Sequence, residues 1–225
     1  MIFDPGYLVI MFVSIGLGLA TQAYIKSTYR KWSRVPLDSG LPGTQVARRI
    51  LDGEGLHSVE VVRVPGELTD HYDPRSKKLA LSDGVFETPS VAAAGIAAHE
   101  AGHAIQDARG YAWGKVRTAL VPVVNFGSSS AGILIVLGLV VGISGLLWLG
   151  IVAYATAVLF QLVTLPVEIN ASRRAMDSLE RSAVMGSEQL AGARQVLFAA
   201  ALTYVAAALI SIMNLLYYIG LARRD

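Results

Sequence analysis

A chain of 225 residues has room for one or two domains, and 53% hydrophobic residues with a mean hydropathy of +0.50 is too apolar for an ordinary soluble protein. A formal net charge of +2 is too small to suggest a nucleic-acid partner. The absence of Cys excludes disulfides, thiolate zinc sites and a cysteine nucleophile, so any metal must be held by His and carboxylate.

In chain order, residues 6–25, GYLVIMFVSIGLGLATQAYI, supply about the 20 apolar residues that span a bilayer. The leader carries Asp4 and no Lys or Arg, whereas Lys26, Arg30, Lys31 and Arg34 follow the run. That order predicts an uncleaved anchor with its N-terminus outside and its basic flank in the cytoplasm. Residues 26–117 then have a soluble composition. A Pro/Gly-rich loop at 37–43 leads to a short helix at 44–51, with Thr44 as its cap. Residues 59–64, VEVVRV, read as a strand by their β-branched content, and 70–75, DHYDPR, as a turn. Lys78, Leu79, Ala80, Leu81 and Ser82 alternate like a second strand, which is expected to offer an exposed edge for an extended peptide substrate.

Residues 90–107, SVAAAGIAAHEAGHAIQD, read as a helix capped by Ser90. The stretch contains H-E-x-x-H, as His99, Glu100, Ala101, Gly102 and His103. Residues four apart share a helix face, so His99 and His103 can offer two imidazole nitrogens to one ion. Glu100 is one residue round from His99, the arrangement in which Glu serves as general base on a water activated by zinc. The competing interpretation is a core helix whose two His are merely hydrogen-bonded.

Beyond Arg117 the chain is apolar again. Residues 121–166 are too long for one crossing, and Gly142-Ile143-Ser144-Gly145 divides them into spans near 120–141 and 146–165. A hairpin of two spans returns the chain to the side it left. Residues 167–194 are polar and helical in pattern, and 195–220 form a fourth span. Thirteen Lys and Arg fall within 26–117 and four more within 166–194, against Arg223 and Arg224 on the other side, a bias that favours a cytoplasmic face for both polar stretches. Catalytic zinc usually takes three protein ligands and keeps one position open. Glu168, directly after the third span in LPVEINASRRA, is a candidate third ligand; as a bland alternative it is a carboxylate complementing a helix dipole at the membrane border.

HEAGHAIQ, a two-span hairpin and then LPVEINASRRA resemble the bacterial membrane neutral zinc metallopeptidases of the YugP type. LTDHYDP at 68–74 is similar too, and a more distant similarity is to the HtpX-like and CAAX-prenyl membrane endopeptidases. The resemblance implies one zinc ion held by His99, His103 and Glu168, with Glu100 as base. Ser172 stands where the distant relatives carry an Asp that orients a ligand His, a role open to Ser172 or Asn170. His71, Tyr72 and Arg173 are candidate transition-state donors, although His71 reads more simply as a loop histidine held by Asp70 or Asp73. Arg173 and Arg174 read equally as partners of Asp177 or of lipid phosphates, and His57 as an exposed loop residue without a partner. Asp52, in L-D-G, precedes the His helix and lies in a polar stretch, which argues against an intramembrane site.

The expected architecture is an α-helical membrane protein with about four transmembrane helices and a small α+β, gluzincin-like metalloprotease domain on the cytoplasmic face. Residues 1–25 are the anchor, 26–118 the catalytic region, 119–166 the hairpin, 167–194 the helix with the third ligand, and 195–225 the last span and tail. The expected activity is hydrolysis of cytoplasmic or membrane-proximal polypeptides, with membrane lipid as surroundings and room for a protein adaptor or inhibitor. The alternative is a non-proteolytic membrane scaffold or regulator with a structural zinc, which the lack of Cys disfavours. A channel is disfavoured because the spans carry no charged pathway residues.

Overall fold

The computed structural model describes residues 4–223. Among these, the elements run α1 (Pro5–Ser33), α2 (Gly43–Gly53), β1 (Glu60–Val64), β2 (His71–Asp73), β3 (Lys78–Ser82), α3 (Asp83–Phe86), α4 (Val91–Ala108), α5 (Ala112–Val141), α6 (Ser144–Ser182) and α7 (Ser187–Ala222). The protein is mostly helical, and four of the helices, α1, α5, α6 and α7, are long and apolar enough to cross a membrane. The chain divides into two compact units, one of residues 1–22, 115–166 and 202–225, the other of 23–114 and 167–201.

In the first unit, α5 and the apolar part of α6 form a hairpin. Gly142 makes the turn with φ of +72°, a left-handed conformation that favours glycine, and α6 begins two residues later. The two helices meet through small residues: a Cβ on Gly138 would lie 2.5 Å from the Leu147 nitrogen, and one on Gly150 2.8 Å from the Ile135 nitrogen. Gly132, by contrast, faces open space. Large apolar side chains are exposed on α1 (Phe12), α5 (Phe126, Val140) and α7 (Leu216), the surface that a lipid solvent would cover.

The second unit is α+β. Its core gathers Val46 and Leu51 from α2, Leu79 and Leu81 from β3, Val85 from α3, the Ala-rich face of α4, Leu179 from α6 and Ala193 from α7. Burying each of the larger side chains contributes about 1.5–3 kcal/mol. Ser90 caps α4, its Oγ accepting from the Ala93 N–H at 3.2 Å. Within α4, Ala97, Ala98 and Ala101 are fully buried. A Cβ on Gly102 would stand 2.6 Å from the Ala171 carbonyl oxygen, so glycine is what lets the α4 backbone lie against α6.

The sheet departs from its sequence reading. Among the described residues its strand order is β1-β3-β2, with β1 parallel and β2 antiparallel to β3. Lys78, Leu79, Ala80, Leu81 and Ser82 therefore form the central strand and not an exposed edge. β1 pairs along all of 78–82 and β2 along 78–80, so the strand lies inside the sheet and does not offer a free edge along its length. Alternation along a strand reports which face is buried and carries no information about lateral neighbours. Residues 71–73, expected in a turn, form the antiparallel strand. Thr44 is not a cap: α2 begins at Gly43 after Pro42, and the Thr44 hydroxyl donates to the Phe86 carbonyl at 3.0 Å.

Candidate metal centre

The site lies within the second unit. From α4, His99 and His103 project one turn apart, their rings 4.8 Å between centroids and nearly perpendicular at 85°. Glu168 comes from α6, two residues beyond Pro166 and past the apolar run, with its side chain only 3% exposed. His99 Nε2 lies 3.2 Å from Glu168 Oε2, and His103 Nε2 lies 3.6 Å from the same oxygen. One ligand atom from each residue falls within 4.8 Å of the others. Three donors at about 2.0–2.2 Å around a tetrahedral ion stand roughly 3.4 Å apart. The two nitrogen-to-oxygen separations bracket that spacing, so His99, His103 and Glu168 could hold a metal ion between them.

Electrostatics favour the same arrangement. Burial alone would raise the Glu168 carboxyl, yet the facing imidazoles of His103 and His99 hold it well below the usual carboxylate range. Burial would lower the His103 pKa, but the Glu168 carboxylate, the Glu100 charge and the Gln106 acceptor outweigh it and raise it above the ordinary imidazole value. The pocket thus gathers negative charge around two nitrogens, as a cation requires.

Each imidazole is also held from behind. His99 Nδ1 lies 3.2 Å from Ser172 Oγ. His103 Nδ1 lies 3.0 Å from Gln106 Oε1. Gln106, 3% exposed, donates from Nε2 to the Val167 carbonyl at 2.8 Å and to Asn170 Oδ1 at 3.0 Å, and Arg174 Nε donates to that same Oδ1 at 2.8 Å. Glu100 is 8% exposed, and among the described residues its carboxylate accepts no hydrogen bond. Its charge acts on His103, one turn further along the same helix.

The remaining candidates lie elsewhere in the unit. His71 is exposed on β2, its Nδ1 donating to the Thr69 carbonyl at 2.9 Å rather than pairing with Asp70 or Asp73. Asp70 instead accepts from the Ser82 N–H at 2.7 Å and from its hydroxyl. The Tyr72 hydroxyl donates to Asp107 Oδ2 at 2.7 Å, at the far end of α4, so its proton is committed there. Arg173 is exposed and makes no ion pair among the described residues. Arg174 bonds Asn170 rather than Asp177. His57 does have a partner, Asp52 Oδ1 at 2.9 Å, and Asp52 also pairs with Arg48. Gln106 escaped the sequence reading although its signal was present: three residues past His103 is the same helix face.

A chain with four helices able to cross a membrane and an H-E-x-x-H helix facing a glutamate on a second helix has the parts of a membrane metallopeptidase. The family described as "Putative neutral zinc metallopeptidase" matches residues 7–223, and the chain belongs to it. It is 42% identical over 213 residues to the "Putative membrane protease YugP" of Bacillus subtilis (strain 168), which covers 95% of each chain. No solved structure matches.

Proposed function

We propose that the protein is a multi-pass membrane zinc metalloendopeptidase, with a gluzincin-like site on the cytoplasmic face, that hydrolyses cytoplasmic or membrane-proximal polypeptides. The observation that carries this reading is the convergence of His99, His103 and Glu168 beside the uncommitted, buried carboxylate of Glu100. The cytoplasmic placement rests on the thirteen and four basic residues of the two polar stretches.

His99 and His103 would hold one zinc through Nε2 and Glu168 through a carboxylate oxygen. When bound, the ion supplies Lewis acidity toward the scissile carbonyl and lowers the pKa of water. Glu100 takes the proton from the attacking water and delivers it to the departing amine nitrogen, a general-base then general-acid role for one carboxyl. Ser172 and Gln106 hold the imidazoles in place. Among the described residues the cluster offers three donors, which leaves a coordination position for water or substrate, whereas a structural zinc usually fills all four with protein. That difference favours the enzyme over the scaffold.

The test is zinc content and casein-type proteolysis by purified wild type, Glu100→Ala and Glu168→Ala. Glu100→Ala is expected to keep metal and lose turnover, and Glu168→Ala to lose metal affinity. Unchanged cleavage by Glu100→Ala would overturn the enzyme reading.

A further inference from the structure

We infer that Arg174, Asn170 and Gln106 form a polarity relay that fixes His103 as its Nδ1–H tautomer and so presents the bare Nε2 to the metal. The inference rests on the zinc-site reading for its purpose, though not for its geometry. A guanidinium can only donate, so Arg174 Nε at 2.8 Å requires an oxygen at that end of Asn170. Against that oxygen Gln106 must place its NH2 group, at 3.0 Å. The Val167 carbonyl, which can only accept, demands the same orientation independently at 2.8 Å. The Gln106 amide is then unable to flip, and its Oε1 faces His103 Nδ1 at 3.0 Å. An acceptor at that distance requires the ring to carry its proton on Nδ1; a lone pair there would meet another lone pair. Nε2 is the nitrogen turned toward Glu168 Oε2, 3.6 Å away, and so toward the other candidate ligand.

His99 is held differently. A hydroxyl can donate or accept, so Ser172 at 3.2 Å sets the position of the His99 ring and not its tautomer. The two ligands of one helix thus differ in preorganisation, and the relay acts on His103 alone. Because Gln106 is on α4 while Val167, Asn170 and Arg174 are on α6, the same bonds tie the helix bearing both imidazoles to the helix bearing Glu168. These three are positioning residues that act through His103 and through the helix pairing.

The experiment is nitrogen NMR of 15N-histidine-labelled, metal-free protein in detergent at alkaline pH, where the ring is neutral, with His103 assigned by His103→Asn. Zinc affinity is measured alongside by competition with a chromogenic chelator. The expected result is a His103 signal of the Nδ1–H form in wild type and a tautomer mixture in Gln106→Met. The latter should bind zinc about 10–100-fold more weakly, the usual effect of removing an outer hydrogen bond to a ligand. Asn170→Asp, which keeps an acceptor for both Arg174 and Gln106, is expected to retain the wild-type tautomer. An Nε2–H signal in wild type overturns the relay, as does unchanged zinc affinity in Gln106→Met. If Gln106→Met does not fold, the wild-type and Asn170→Asp spectra still decide. Failure of wild type to bind zinc at all sinks the peptidase reading, while the metal-free spectrum judges the tautomer separately.

Discussion

At the scale of single residues, the centre depends on which groups are committed and which are left free. Glu100 and Glu168 are both buried carboxylates, yet one faces two imidazoles and the other has no donor among the described residues. Their removal is expected to separate cleanly. Glu100→Gln should cut peptide turnover by about 10²–10⁴-fold while zinc stoichiometry stays at the wild-type level, measured by metal analysis of the purified protein. The charge balance also predicts a pH signature. His103 holds its proton more tightly folded than unfolded, so in the metal-free protein this interaction is fully present below the ordinary imidazole pKa, about 6.5, and is lost as pH rises through the higher folded value. Thermal unfolding of metal-free protein should therefore shift to lower temperature across a window that begins near pH 6.5. Zinc displaces that proton, so the drop is expected to vanish in the zinc-loaded protein and to persist if zinc does not engage His103.

Among the elements, the pairing of α4 with α6 brings the three candidate ligands together, and it depends on a missing side chain. A methyl on Gly102 would meet the Ala171 carbonyl at 2.6 Å, a backbone atom that cannot turn aside. Gly102→Ala is expected to cost about 1–3 kcal/mol and to weaken zinc binding by pushing Glu168 outward, observed as a lower unfolding temperature and a weaker chelator competition. The N-terminal end of α4 gives a control. Ser90→Ala removes the bond to the Ala93 N–H and should cost about 1 kcal/mol without changing zinc affinity, because the cap is nine residues before the first imidazole. Equal loss of zinc in both variants would mean that the affinity follows overall stability and not the helix contact.

For the molecule as a whole, the four apolar helices and the distribution of basic residues bear on which side of the membrane the centre occupies. The chain has no native Cys, so single cysteines report topology directly. Ser144→Cys, exposed at the first residue of α6 just after the turn from α5, is expected to react with an impermeant maleimide in intact cells. Ser76→Cys, exposed between β2 and β3, is expected to react only after permeabilisation. The reverse pattern would put the centre on the outer face and redirect the search for substrates accordingly.

Spacing along the chain was enough to find the His pair, its helix and the cap at Ser90, because helical periodicity and capping are local properties of neighbouring residues. Hydropathy located the four long apolar segments and the break at residues 142–145, since a lipid solvent demands continuous apolar length. Lateral order in the sheet was not legible: residues 78–82 read as an edge and lie at the centre, because strand order is decided by long-range pairing. Of the backing of the candidate metal centre, Ser172 and Asn170 were named from the sequence and Gln106 was not. That Gln106 would reach back to His103 and also across to Val167 and Asn170 depends on how closely two helices more than sixty residues apart can approach. Local sequence determined the helices and two of the donors; only tertiary packing, through Gly102 and the amides behind the imidazoles, decided that Glu168 meets them within 3.6 Å.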